Sequence, residues 1–151
     1  MNIEFLKKAE EAKPKLTFKT HTVKGGQILA ENECAVYDFG THVVGYPKLY
    51  FSAVGAHYDA PALIKVRFCE TAQELDEDTS KYNGWISKGW LQDEIIHLDE
   101  LPCAYAFRRR FAFRYIKVEV IATSPKYKLC IEKAVAKCVT SAPEQIAVCG
   151  S

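Results

Sequence analysis

The sequence predicts an all-β protein: an antiparallel β-sandwich of jelly-roll type with a short N-terminal helix. Three observations carry that expectation. Residues 108–121 read RRRFAFRYIKVEVI, and from Tyr115 onward they alternate, with Ile116, Val118 and Val120 on one face and Tyr115, Lys117 and Glu119 on the other. A period of two carried by β-branched residues marks a strand with one buried and one wet face. Other short alternating runs end in glycine, and only one stretch, at the N-terminus, has helical spacing. Many short strands with turn signals between them and a single helix describe a sandwich or barrel.

Taken in order, residues 2–12 form the helix: Ile3, Leu6 and Ala9 recur every three positions, Glu and Lys fill the rest, and Pro14 stops it. It is expected to lie peripherally, within residues 1–14. Residues 16–23 alternate as a strand, and Gly25-Gly26 reads as the turn that ends it. Residues 35–39 make a strand closed by Gly40, where glycine permits a sharp exit and Asp38 can bond turn amides. Residues 49–54 follow, ending at Gly55. In residues 62–70, Ile64, Val66 and Phe68 point one way and Leu63, Lys65, Arg67 and Cys69 the other.

A long polar connection occupies residues 71–88, a length that tends to be functional when it is real. Strands resume at 92–98, pass Pro102 and reach the 108–121 run, which reads as the central strand. In its first part Phe111 and Phe113 can anchor a core while Arg108, Arg109, Arg110 and Arg114 stay at the rim. Residues 127–131 and 134–140 read as a final strand pair, and 142–151 as a tail. No repeat or linker divides the chain, so residues 1–151 read as one domain.

Composition narrows the function. A chain of 151 residues can bury a core without staples. A net charge of +1 gives no general attraction to nucleic acid or anionic membrane. No apolar run approaches the roughly 20 residues that span a bilayer, and no signal-peptide core stands at the N-terminus, so a cytoplasmic location is expected. The cysteines Cys34, Cys69, Cys103, Cys130, Cys138 and Cys149 have no CxxC spacing and are expected reduced and mostly buried.

Val36-Tyr37-Asp38-Phe39-Gly40 is followed by Gly45-Tyr46-Pro47, then by Val66-Arg67-Phe68-Cys69-Glu70 and Glu74-Leu75-Asp76-Glu77-Asp78. Asp93-Glu94-Ile95-Ile96-His97-Leu98 and Arg110-Phe111-Ala112-Phe113-Arg114-Tyr115-Ile116-Lys117-Val118 come next. This order of motifs resembles the β-sandwich domain of bacterial α-L-rhamnosidases. It departs at Thr79, where the family has glycine. The resemblance implies that the catalytic carboxylates belong to an (α/α)6 barrel following the sandwich. No barrel sequence is present in these residues, and 148–151 resemble the stretch before one. The expectation is therefore a non-catalytic accessory domain with a catalytic barrel as its partner.

Several residues are candidates for function. Tyr82, Asn83, Trp85 and Trp90 lie in or beside the polar connection and suit carbohydrate binding, because pyranose faces pack on exposed aromatics while carboxylates and amides take the hydroxyls. The same tryptophans could instead form a lid over an open edge of the core. Asp76 and Asp78, with Asn83, offer the oxygen ligands that calcium takes, but their spacing matches no EF-hand loop, and a dense acidic run is usually a solvated surface. Calcium apart, no cofactor is expected. Glu70, Glu74, Asp76, Glu77 and Asp78 could supply a glycosidase pair in number, but nothing in their pattern singles out two.

Arg108, Arg109 and Arg114 are candidates for a domain interface, or for pairing with Glu70 or Asp93 on neighbouring strands. Interleaved Arg and Phe also occur on single-strand nucleic-acid platforms, but the neutral chain has no matching phrase. His21, His42, His57 and His97 have no metal spacing. The leading function is the accessory domain. The alternatives are an autonomous calcium-assisted module for rhamnose-containing glycans, and a self-associating interaction domain.

Overall fold

The computed structural model describes residues 17–56 and 58–140. The expected helix within 1–14, the tail at 142–151, His57 and Cys149 lie outside them. Seven strands occur: β1 (Thr17–Leu29), β2 (Cys34–Gly55), β3 (Ala62–Cys69), β4 (Asp93–Leu98), β5 (Cys103–Ala106), β6 (Phe111–Ala122) and β7 (Tyr127–Thr140). All pairings are antiparallel, in the order β1-β7-β2-β6-β3-β4, with β5 also on β2. The all-β antiparallel expectation therefore holds.

The path is one continuous sheet, and β2 belongs to both of its halves. Residues 34–45 of β2 pair with β6, whereas 45–55 pair with β7 on one side and, at 48–51, with β5 on the other. Between Asp38 and Val43 the register slips by three residues relative to β6. Gly40 sits in that bulge with a positive φ of 73°, and its N–H donates to Asp38 Oδ1 at 2.7 Å, as the sequence suggested.

A sheet with one open face cannot bury side chains completely. Yet Leu49, Phe51, Ile64, Val66, Phe113, Ile116, Val118, Val120, Leu129 and Ile131 are all inaccessible or nearly so, in one cluster. No α-helix lies among the described residues to cover them. The two halves therefore cover each other. His21 of β1 meets Phe39 edge-to-face at 5.1 Å, and Tyr37 donates to Gln27 Oε1 at 2.6 Å, linking β1 to the first half of β2. Each branched side chain buried this way contributes roughly 2 kcal/mol.

β6 lies between β2 and β3, as expected for the central strand, but it begins at Phe111, so Arg108–Arg110 precede it. Its inward phase is the one read from the sequence. Phe111 stacks on Phe68 at 4.0 Å, and Phe113 meets Phe68 and Phe39 at 5.3 Å each.

Three readings are corrected. Gly25-Gly26 does not end β1; it is a one-residue bulge within it, where β1 slips between Lys24 and Gln27 against β7. Gly26 has φ +109°, and a Cβ on Gly25 would stand 2.1 Å from the Ile131 carbonyl oxygen. The stretches 35–39 and 49–54 are parts of one strand, because Gly40 marks a bulge and does not end β2, and Gly45 and Pro47 do not break it either. Pro47 instead accepts from Phe107 N at 3.0 Å through its carbonyl. The expected pair 127–131 and 134–140 is the single strand β7. Its inward residues change parity, from Leu129 and Ile131 to Ala134 and Ala136, because an extra residue is inserted opposite Tyr50 and Phe51. A phase slip in a linear pattern looks like a break.

Candidate functional site

The 71–92 connection is not structureless. It makes three 3-10 turns, Gln73–Asp76, Thr79–Lys81 and Lys88–Trp90, and folds over the outer face of β3 and β6. The outward side chains there include the cations Lys65, Arg67 and Lys117, and the connection supplies oxygens to Arg67 and Lys117.

Arg67 holds most of it. Its guanidinium donates to both Asp93 carboxylate oxygens, at 2.9 and 3.2 Å, to the carbonyls of Glu74 and Leu75 at 3.3 Å each, and to Thr79 Oγ1 at 3.2 Å. The carbonyl of Glu77 accepts from the same Nη1. Only 11% of the Arg67 side chain and 16% of that of Asp93 is exposed. Burial alone would push the Asp93 carboxyl up; the hydrogen bonds from Thr79 and Arg67, with the charges of Arg67 and Lys65, hold it on balance below the usual carboxylate range. Lys117 Nζ reaches the Leu75 carbonyl at 3.0 Å and Asp76 at 3.2 Å. The Gln92 amide acts as a surrogate strand residue, accepting from Ala112 N at 2.9 Å and donating to Ala112 O at 2.8 Å.

This accounts for the acidic run. Asp76 pairs with Lys117, while Asp78 accepts from Ser80 N at 3.1 Å and pairs with Lys81 at 3.2 Å. The two carboxylates are engaged with different partners. Among the described residues no group of three or more His, Cys, Asp or Glu side chains comes together to hold a metal ion.

The aromatic candidates stand on this platform. Tyr82 and Trp90 meet edge-to-face at 5.5 Å. Trp85 is 95% exposed, which does not suit a lid over the core, and Trp90 is 51% exposed. Asn83 is also exposed. Trp90 borders a cleft of about 280 Å³ shared with Arg67, Glu70, Glu74, Thr79, Gln92 and Asp93.

The arginine run has partners other than those expected. Glu70 pairs with His42 at 2.8 Å, and Asp93 with Arg67, its cross-strand neighbour in the β3–β4 register. β3 separates β6 from β4, so an outward β6 side chain lies two strand spacings from Asp93. Arg114 instead forks onto Asp38 at 2.8 and 3.0 Å, bracing the β2 bulge and, together with the Gly40 amide, holding the Asp38 carboxyl low. Arg109 donates to the carbonyls of Leu91 at 3.0 Å and Trp90 at 3.1 Å, fastening the aromatic turn to the sheet. Arg108 and Arg110 are exposed and form no ion pair with a described residue.

Sequence reasoning missed Arg67 and Gln92 as organisers. A signal existed for Arg67: once strands 62–70 and 92–98 are paired as a hairpin, it faces Asp93. Gln92 carries no such signal. Of the described cysteines, Cys69 and Cys130 are buried, Cys103 and Cys138 half-buried and Cys34 exposed, all as free thiols. Burial pushes the Cys69 thiol up to about 11.

With this geometry in place, comparison with known proteins is informative. Residues 6–138 match the family model of the glycosyl hydrolase family 78 alpha-rhamnosidase N-terminal domain. Among solved structures, a rhamnosidase from Klebsiella oxytoca with rhamnose bound is 32% identical with a TM-score of 0.85, over 93% of this chain and 32% of that one. The chain thus spans about a third of that protein's length. A GH78 family rhamnosidase of Bacillus sp. GL1 shares the fold, at 17% identity and a TM-score of 0.53, over 76% of this chain and 11% of that one. No curated protein matches the chain.

Proposed function

Because the chain belongs to the family of glycosyl hydrolase family 78 α-rhamnosidase N-terminal domains, we propose that it is a non-catalytic accessory domain that docks on and supports a catalytic (α/α)6 barrel. The observation that carries this reading is the asymmetry of coverage: 93% of this chain matches, but only 32% of the Klebsiella oxytoca rhamnosidase. The arrangement of side chains is consistent with it. The carboxylates of residues 70–78 that have described partners brace the sheet or its connections. A cytoplasmic location is part of the proposal; no described helix is long and apolar enough to cross a membrane.

The chain alone is expected to leave an aryl α-L-rhamnoside intact. It should also bind the part of the Klebsiella oxytoca rhamnosidase that lies outside the matched region, read by calorimetry. Hydrolysis by the chain alone, or no association at tens of micromolar, would overturn the docking reading.

A second reading, carbohydrate binding, is favoured by one observation: Trp85 is almost wholly exposed, next to Tyr82, Asn83 and Trp90. On this reading a rhamnose-containing glycan packs on the indoles. A ¹⁵N-labelled sample titrated with L-rhamnose and rhamnosyl oligosaccharides should then show saturable shifts of the Trp85 and Trp90 indole N–H signals. An EDTA arm reports whether Asp76 and Asp78 bring calcium into it. Signals unmoved at millimolar sugar would sink this reading.

A further inference from the structure

Strand edges with free N–H and C=O groups invite pairing, and natural proteins blunt them with lysine, proline, bulges or short length. The free edge of β1 is guarded by Lys19, Lys24 and the Gly25-Gly26 bulge. β5 is short but otherwise unguarded among the described residues: its sequence is CAYA, with neither charge nor proline within it. Phe107 N donates to Pro47 O, so in the β2–β5 register Phe107, Tyr105 and Cys103 face their hydrogen-bonding groups towards β2. Antiparallel pairing alternates, which leaves Ala104 and Ala106 with N–H and C=O pointing away from it. Both alanines are exposed. On β4 the same logic, starting from Phe68 N donating to Gln92 O, leaves the groups of Asp93, Ile95 and His97 on the free side, and Ile95 is an exposed large apolar residue.

Between these two edges lies an open slot of about 520 Å³ lined by Glu94, Tyr105, Ala106, Phe107, Arg108 and Arg109. Glu94 is paired with Arg109 at 3.7 Å. Arg108, which lines it, and Arg110, two residues further along the chain, have no ion-pair partner among the described residues. A backbone edge without a guard, an aromatic floor and two unpaired guanidinium groups define one occupant by chemistry.

We propose that the β5 edge and its slot receive an extended, carboxylate-bearing segment of the partner catalytic domain. The segment adds a strand to β5 through Ala104 and Ala106 and places acidic side chains against Arg108 and Arg110. This rests on the docking reading and specifies where and how docking occurs. If the chain binds the rhamnosidase remainder but the slot fails the test below, the slot alone is wrong.

The test titrates the whole ¹⁵N-labelled chain with a capped nine-residue peptide alternating valine and glutamate, and with its valine–lysine counterpart. The glutamate peptide is expected to shift the Ala104 and Ala106 amides saturably and to bind at least tenfold more tightly than the lysine peptide. Ala104→Pro removes an outward N–H that β2 does not use and should abolish binding. The double variant Arg108→Glu, Arg110→Glu touches only exposed, unpaired side chains and should erase the acidic preference without changing the thermal melt. No shift at millimolar peptide, shifts confined to the β1 edge, equal binding of both peptides, or a β5 edge already covered by a second copy in sedimentation would each overturn the proposal.

Discussion

Arg67→Met should lower stability at neutral pH by about 3 kcal/mol and release the 71–92 connection from the sheet. Methionine keeps the length of the side chain but none of the five donors, so the carbonyls of Glu74 and Glu77 lose their donor, Leu75 keeps only Lys117, and the Asp93 carboxylate keeps only Thr79 and Lys65. The largest part of the loss is the Asp93 charge left largely buried. Loosening should be visible as a changed environment of Trp90, whose turn leans on the same connection, and as a lower urea midpoint.

The pH dependence identifies the cause. In the native chain Asp93 has a lowered pKa, so its stabilisation is complete above the unfolded aspartate value of about 3.9 and fades as pH falls through the folded value. Without the guanidinium only the Thr79 hydroxyl and Lys65 oppose burial, so that carboxyl rises from its native value and the variant has less stability to lose as Asp93 protonates. The gap between the two proteins should therefore be widest near pH 7 and narrow below pH 4. A gap constant from pH 7 to pH 3 would show that Arg67 acts by packing alone.

Gly45→Ala should cost about 3 kcal/mol by forcing β2 and β7 apart. A Cβ at that position would stand 2.2 Å from the Lys137 carbonyl oxygen and 2.9 Å from the Cys138 Cα, both of them backbone atoms that no rotamer change can move. The strain falls on the long β2–β7 ladder that joins the halves of the sheet. Gly89→Ala is the matched control. Its Cβ would meet only the Ser87 hydroxyl at 3.5 Å, an ordinary contact, so its stability in urea unfolding should stay within about 0.5 kcal/mol of the parent. Equal effects at the two glycines would refute the close-approach argument and leave helix-like or loop entropy as the common cause.

Elements with one uninterrupted phase were legible from the residues. β3 carries inward β-branched and aromatic side chains at every second position, and β6 does so from Ile116 onward, after a phase slip between Phe113 and Ile116. β2 and β7 were split because glycine, proline and an inserted residue mimic strand ends in a linear reading. A bulge and a turn use the same residues and differ only in whether a neighbouring strand continues the pairing. β5 escaped altogether, since four residues following Pro102 hold too little periodicity to detect.

The site followed the same division. That residues 71–90 gather carboxylates and aromatics was plain, but the acidic run could be a solvated face, a calcium loop or a counter-charge. The choice depended on Lys65, Arg67 and Lys117, which sit on two strands distant in sequence and share one outer face only after β3 pairs with β6. The sequence by itself determined the strand class, the inward phase of its clearest strands and the ordered motifs by which the family is recognised, because these are local or collinear properties. Tertiary structure alone decided which arginine binds which carboxylate, which indoles face solvent and which strand edge is left unguarded, because each depends on the register between strands far apart in the chain.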